Sequence, residues 1–64
     1  MVTVNGTKLD IAGKTVSEYL AETNCDPGRI AVERNGDILF KSLYDSTILE
    51  DGDCLEVVRF VGGG

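Results

Sequence analysis

Apolar and polar residues alternate from the first positions of the chain. Val2-Thr3-Val4 and Thr7-Lys8-Leu9-Asp10-Ile11 lie on either side of Asn5-Gly6, the strongest short signal for a β-hairpin. A two-residue turn there sets Val4 opposite Thr7 and Val2 opposite Leu9, so the apolar side chains share one side of the ribbon. Gly13 then breaks the strand, and the periodicity changes. Thr15-Val16-Ser17-Glu18 is a capping box: the Thr15 hydroxyl can accept from the Glu18 amide while the Glu18 carboxylate reaches back to the Thr15 amide. Val16, Tyr19, Leu20 and Thr23 follow at helical spacing, with Glu18 and Glu22 directed to water. Asn24 and Asp26-Pro27-Gly28 end this short amphipathic helix, because proline cannot continue it.

The second half repeats the strand pattern. Ile30 to Arg34 and Ile38-Leu39-Phe40 flank a second hairpin turn, Asn35-Gly36, which places Val32 opposite Leu39 and Arg34 opposite Asp37 as a cross-strand charge pair. Lys41 to Thr47 has no period and predicts irregular chain or one helical turn anchored by Leu43 or Tyr44, and Ile48-Leu49 predicts a short apolar contact. Glu50-Asp51-Gly52-Asp53 is a turn that needs its glycine. Cys54 through Val61 predicts the longest strand, with Leu55, Val57 and Val61 on one side and Cys54, Val58 and Phe60 on the other. A strand apolar on both sides belongs at the centre of a sheet. The fold class is α+β: a β-grasp arrangement with a mixed sheet of four to five strands on one main helix, the last strand parallel to the first, and one sheet face open. Residues 1–61 form a single domain and 62–64 a flexible glycine tail.

Composition narrows what such a domain can do. At 64 residues, 42% of them hydrophobic and 27% charged, the chain resembles an ordinary globular domain with little room for a deep catalytic pocket. Histidine is absent, which removes the usual general base and a common metal ligand. The net charge is −5, and Lys8, Lys14, Arg29, Arg34, Lys41 and Arg59 are scattered. Nucleic acid and anionic membranes are therefore disfavoured, and a basic groove on another protein suits the charge. No apolar run is of transmembrane length and the first residues lack a signal-peptide pattern, which points to the cytoplasm. Cys25 and Cys54 are too few for a tetrahedral metal site and are expected to be small semi-buried thiols.

The chain finishes on Gly62-Gly63-Gly64 directly after the last strand. Glycine contributes no packing and carries the largest backbone entropy, so stability does not explain the run. A thin thread with an unhindered α-carboxylate can pass through a channel that a Cβ would block. The chemistry is therefore expected at Gly64, with Gly62 and Gly63 as the inserted thread.

The stretch from Asp51 to Gly64, together with Asn5-Gly6, Thr15-Val16 and Ala31-Val32-Glu33-Arg34-Asn35-Gly36, resembles the ThiS family, sulfur carriers of thiamine thiazole biosynthesis. The resemblance covers the whole chain, and Gly63 and Gly64 match the terminal Gly-Gly that members need. It implies a carrier that is no catalyst and binds no cofactor itself. A ThiF-like, E1-like adenylyltransferase would use ATP and magnesium to adenylate the Gly64 carboxylate. Sulfur originating at a cysteine desulfurase or another persulfide donor would then give a thiocarboxylate that serves a ThiG-like thiazole synthase. Other readings stay open: a molybdopterin synthase small subunit, a carrier for cysteine or tRNA thiolation, a ubiquitin-like modifier, or an interaction module with an inert tail. On the last strand, Leu55 and Val57 are expected to face the helix, which sends Val58 and Phe60 to the open face as partner contacts.

Overall fold

The computed structural model describes residues 1–60. Its first element is the expected hairpin, β1 (Val2–Val4) and β2 (Thr7–Leu9), with Val2 opposite Leu9 and Val4 opposite Thr7. Asn5 and Gly6 have φ of 50° and 85°, so both central positions are left-handed and the turn twists with the strands. Strand β2 stops at Leu9, short of the expected Ile11, yet Ile11 is buried.

Helix α1 (Val16–Glu22) starts on the capping box: Thr15 Oγ1 accepts from the Glu18 amide at 3.1 Å and Glu18 Oε1 from the Thr15 amide at 2.9 Å. These bonds satisfy two of the amides that a helix start leaves without partners. They also hold the Glu18 carboxyl below its ordinary pKa. At the other end Asn24 is left-handed, the Cys25 amide bonds Leu20 O at 3.0 Å and the Asn24 amide bonds Ala21 O at 3.3 Å, a Schellman closure. Val16 and Leu20 are buried; Thr23, expected on the same face, is exposed and donates its hydroxyl to Leu20 O instead.

A 3-10 turn (Pro27–Arg29) leads to β3 (Ile30–Arg34), which pairs with β4 (Asp37–Leu39) in the register read from the Asn35-Gly36 turn. A second 3-10 turn spans Lys41–Leu43, and of its two candidate anchors Tyr44 is buried while Leu43 is exposed. The Ile48-Leu49 contact divides the same way: Leu49 is buried and bonds Gly13 and Lys14 through its backbone, whereas Ile48 is exposed.

Strand β5 (Cys54–Arg59) is the longest, and the sheet order β2-β1-β5-β3-β4 puts it in the centre. It runs parallel to β1 and antiparallel to β3. Helix α1 and the segment through Tyr44 and Leu49 cover one sheet face, where Val2, Val4, Ile30, Val32 and Leu55 complete the core. Leu20, Leu49 and Leu55, each 1% exposed, are the largest fully buried side chains. The opposite face carries no covering element among the described residues.

One part of the frame has no local sequence signal. Both hairpin-turn asparagines extend the sheet with their side chains. Asn5 Oδ1 accepts from the Val57 amide at 2.8 Å and Asn5 Nδ2 donates to Val57 O at 3.1 Å, which prolongs the short β1–β5 ladder. Asn35 Oδ1 accepts from the Cys54 amide at 2.9 Å, and its Nδ2 donates to Asp53 Oδ1 at 3.1 Å.

Asp53 also accepts from Arg34 Nε and Nη2, at 3.0 and 2.8 Å, and from the Glu50 amide at 2.9 Å. The expected Arg34–Asp37 ion pair is thus replaced, although the register is as expected: Arg34 spans to buried Asp53, with Glu50 at 3.5 Å. A carboxylate withdrawn from water offers a guanidinium a stronger site than one on an exposed edge strand.

Burial pushes the Asp53 carboxyl up, but the Glu50 amide, Arg34 and Asn35 outweigh it and hold the group below its ordinary 3.8. A carboxyl depressed in the folded state stabilises the fold above its unfolded pKa, and that contribution is lost as pH falls through the folded value. Stability to urea should therefore drop as pH is lowered below about 4. In Asp53→Asn the neutral-pH stability should be lower by about 1–3 kcal/mol and that acid dependence reduced. An unchanged acid slope in the variant would show that Asp53 is not the group responsible.

Candidate docking face and carrier terminus

The alternation along β5 decides which side chains face outward. Leu55 is buried and Val57 half-buried on the helix side, whereas Cys54, Glu56 and Val58 are exposed on the other. Val58 lies opposite Ala31, and the Phe60 amide continues the ladder to Arg29 O at 2.9 Å. Val58 is 50% and Phe60 61% exposed. Ile38, the partner of Glu33 on β4, and Phe40 just beyond it are exposed as well. The apolar surface is therefore wider than the two residues expected from the sequence. Ile38-Leu39-Phe40 is apolar throughout, so its sequence does not tell which side chains face outward; the exposure of Ile38 and Phe40 follows from β4 being a three-residue edge strand with no cover among the described residues.

Two shallow grooves, of about 280 and 310 Å³, adjoin the end of β5, and Cys25 and Arg59 line both. Cys25 is half-buried, as expected; its sulfur lies 3.1 Å from the Thr23 hydroxyl, whose single proton it shares with Leu20 O, and accepts from Arg59 Nη2 at 3.8 Å. The Thr23 bond is the main cause of a thiol pKa below its ordinary value, with Arg59 adding to it against the opposing effect of burial. Cys54 departs from the semi-buried expectation. It is exposed, since its even position on β5 puts it on the open face opposite Thr3.

Gly62, Gly63 and Gly64, the residues expected to carry the chemistry, lie outside the described residues, as does Val61. The last described residue, Phe60, belongs to the apolar surface, so the chain leaves the described frame beside that surface. Among the described residues no helix is long and apolar enough to cross a membrane.

The ThiS family model matches residues 2–64 of the chain. The chain belongs to the ThiS family. The thiamine biosynthesis protein ThiS of Geobacter metallireducens has the same fold in its crystal structure, with a TM-score of 0.78 and 36% identity over 98% of this chain and 97% of that one. The sulfur carrier protein ThiS of Bacillus subtilis is 40% identical over 50 residues, 78% of this chain and 76% of that protein. A thiazole synthase of Paramagnetospirillum magneticum is 44% identical over 62 residues, which are 95% of this chain but 19% of that protein. A thiazole synthase of Magnetococcus marinus shows the same disproportion, with 83% of this chain against 16% of the protein. This chain thus spans less than a fifth of the length of those two relatives.

Proposed function

We propose that this chain is a sulfur carrier of thiamine biosynthesis whose Gly64 carboxylate is converted to a thiocarboxylate for thiazole formation. The family match, which runs through residue 64 on a β-grasp frame, carries the reading. The chain is a carrier and co-substrate, and its partners perform the catalysis. A carboxylate is a poor electrophile at neutral pH. A ThiF-like adenylyltransferase, using ATP and magnesium, would join AMP to it, release pyrophosphate and so supply a good leaving group. A persulfide sulfur, drawn from a cysteine desulfurase or another donor, would displace AMP. A thiol would attack the donor-side sulfur of the resulting acyl disulfide, forming a disulfide with the donor and releasing the thiocarboxylate. Two relatives named thiazole synthase, each containing a stretch similar to this chain, support thiazole synthase as the sulfur acceptor. These steps belong in the cytoplasm, where ATP and reduced thiols are at hand.

The chain's own part is presentation. Gly62 and Gly63 would thread the terminus into the active sites of its partners, while Val58 and Phe60 hold the sheet against the partner surface. In ATP–pyrophosphate exchange with a ThiF-like adenylyltransferase, the full chain should support exchange and a chain lacking Gly63 and Gly64 should not. Exchange by the shortened chain would leave the tail an inert extension and overturn the reading.

A further inference from the structure

The uncovered sheet face holds two carboxylates that form no ion pair among the described residues. Glu33 on β3 and Glu56 on β5 are direct cross-strand partners, and both are exposed. Such partners hold their Cβ atoms about 4.5–5.5 Å apart, and like charges in that position destabilise a sheet. Among the described residues neither carboxylate pairs with a cation: Arg34, next to Glu33, turns to Asp53 and Glu50. Lys8 shares the face but sits on edge strand β2, two strands away from Glu56 and three from Glu33.

Apolar groups flank the acidic pair. Ile38 lies opposite Glu33 on β4, and Val58 follows Glu56 by two residues on the same side of β5. A partner seated on Val58 and Phe60 therefore covers Glu33 and Glu56 too. Two carboxylates taken out of water without a counter-charge would cost more than the apolar contact returns. A second copy docking face to face would bring four carboxylates together, and anionic polymers or membranes would be repelled. The occupant must bring positive charge.

We propose that Glu33 and Glu56 together clasp one guanidinium on the surface of thiazole synthase, with Ile38, Val58 and Phe60 packing around it. The inference rests on the docking face described under the proposed function, and thiazole synthase is taken as the occupant because two relatives of that name contain a stretch similar to this chain. A planar guanidinium has donors enough to bridge two carboxylates, which a compact ammonium does less well. The repulsion tolerated in the free domain then becomes attraction in the complex.

The test is binding of a purified ThiG-like thiazole synthase and, separately, of a ThiF-like adenylyltransferase to the full chain, at low and at high salt, for the parent, the double variant Glu33→Gln/Glu56→Gln, and Phe60→Ala. The double variant should unfold at higher urea than the parent, because the repulsion is gone. Its affinity should fall by about tenfold or more, chiefly through faster dissociation, and most of that loss should persist at high salt because a covered pair is screened little. Phe60→Ala should bind more weakly at both salt concentrations. Parent and double variant binding alike, while Phe60→Ala binds poorly, would overturn the clasp and leave the docking face standing. No effect of Phe60→Ala on binding would overturn the docking face itself. A loss confined to binding of the adenylyltransferase would overturn thiazole synthase as the occupant.

Discussion

Gly64→Val should fold as the parent does and fail to be adenylated. The ten core residues identified among the described residues all lie between Val2 and Leu55, so none depends on a side chain at position 64. The urea-unfolding stability should therefore stay within about 0.5 kcal/mol of the parent. Adenylation requires the terminal carboxylate within bonding reach of the α-phosphate of ATP. A branched Cβ on the same residue crowds both the approach channel and the attacking oxygens. Displacements of about 1 Å at a reacting centre can cost about 100-fold, so ATP–pyrophosphate exchange should drop by at least that factor. Near-parental exchange by a folded Gly64→Val chain would show that the glycine run does not serve to pass a narrow channel.

Leu55→Ala and Phe60→Ala should separate folding from docking on a single strand. Leu55 is 1% exposed at the centre of the sheet, packed with Val2, Val4 and Val32 in the core cluster. Its truncation leaves a cavity and should cost about 2–5 kcal/mol. A domain of this size has about 3–5 kcal/mol in hand, so much of the Leu55→Ala chain should be unfolded without denaturant. Phe60 is 61% exposed, so its truncation should cost less than about 1 kcal/mol in unfolding. It should instead weaken binding to the adenylyltransferase or thiazole synthase by at least about 1 kcal/mol. Urea titrations and binding measurements on both variants decide the matter. The reverse ranking would mean that Phe60 packs as core and that the open face is not the docking side.

Much of this frame is written in local sequence. The two Asn-Gly turns fix both hairpin registers because each needs two consecutive left-handed residues, and Asn5-Gly6 and Asn35-Gly36 supply them. The Thr15–Glu18 box needs only residues three apart. The apolar character of β5 on both sides placed it at the centre, and its alternation placed Val58 and Phe60 outward. What stayed hidden depends on residues that only the folded chain brings together. Asp53 looks like one more acid in a solvated turn, yet it accepts bonds from Arg34 and Asn35, 19 and 18 residues away. Arg34 chose that partner over Asp37, the one its own hairpin offered. The side chains of Asn5 and Asn35 read as turn formers alone, and their bonds to β5 follow from which strand lies alongside. The Glu33–Glu56 opposition likewise requires the β3–β5 register, which no turn specifies. For the candidate site, the exposed pair on β5 was legible and its extension onto Ile38 and Phe40 was not, while the glycines at 62–64 lie outside the described residues.

The most direct test of the carrier reading is the intact mass of the protein isolated from its own cells. A fraction of the chain should be heavier by the difference between one sulfur and one oxygen, with fragmentation placing the change on Gly64 and leaving Cys25 and Cys54 unmodified. Chains joined through Gly64 to lysines of other proteins, with no sulfur-bearing species, would contradict the sulfur carrier and make the chain a protein modifier.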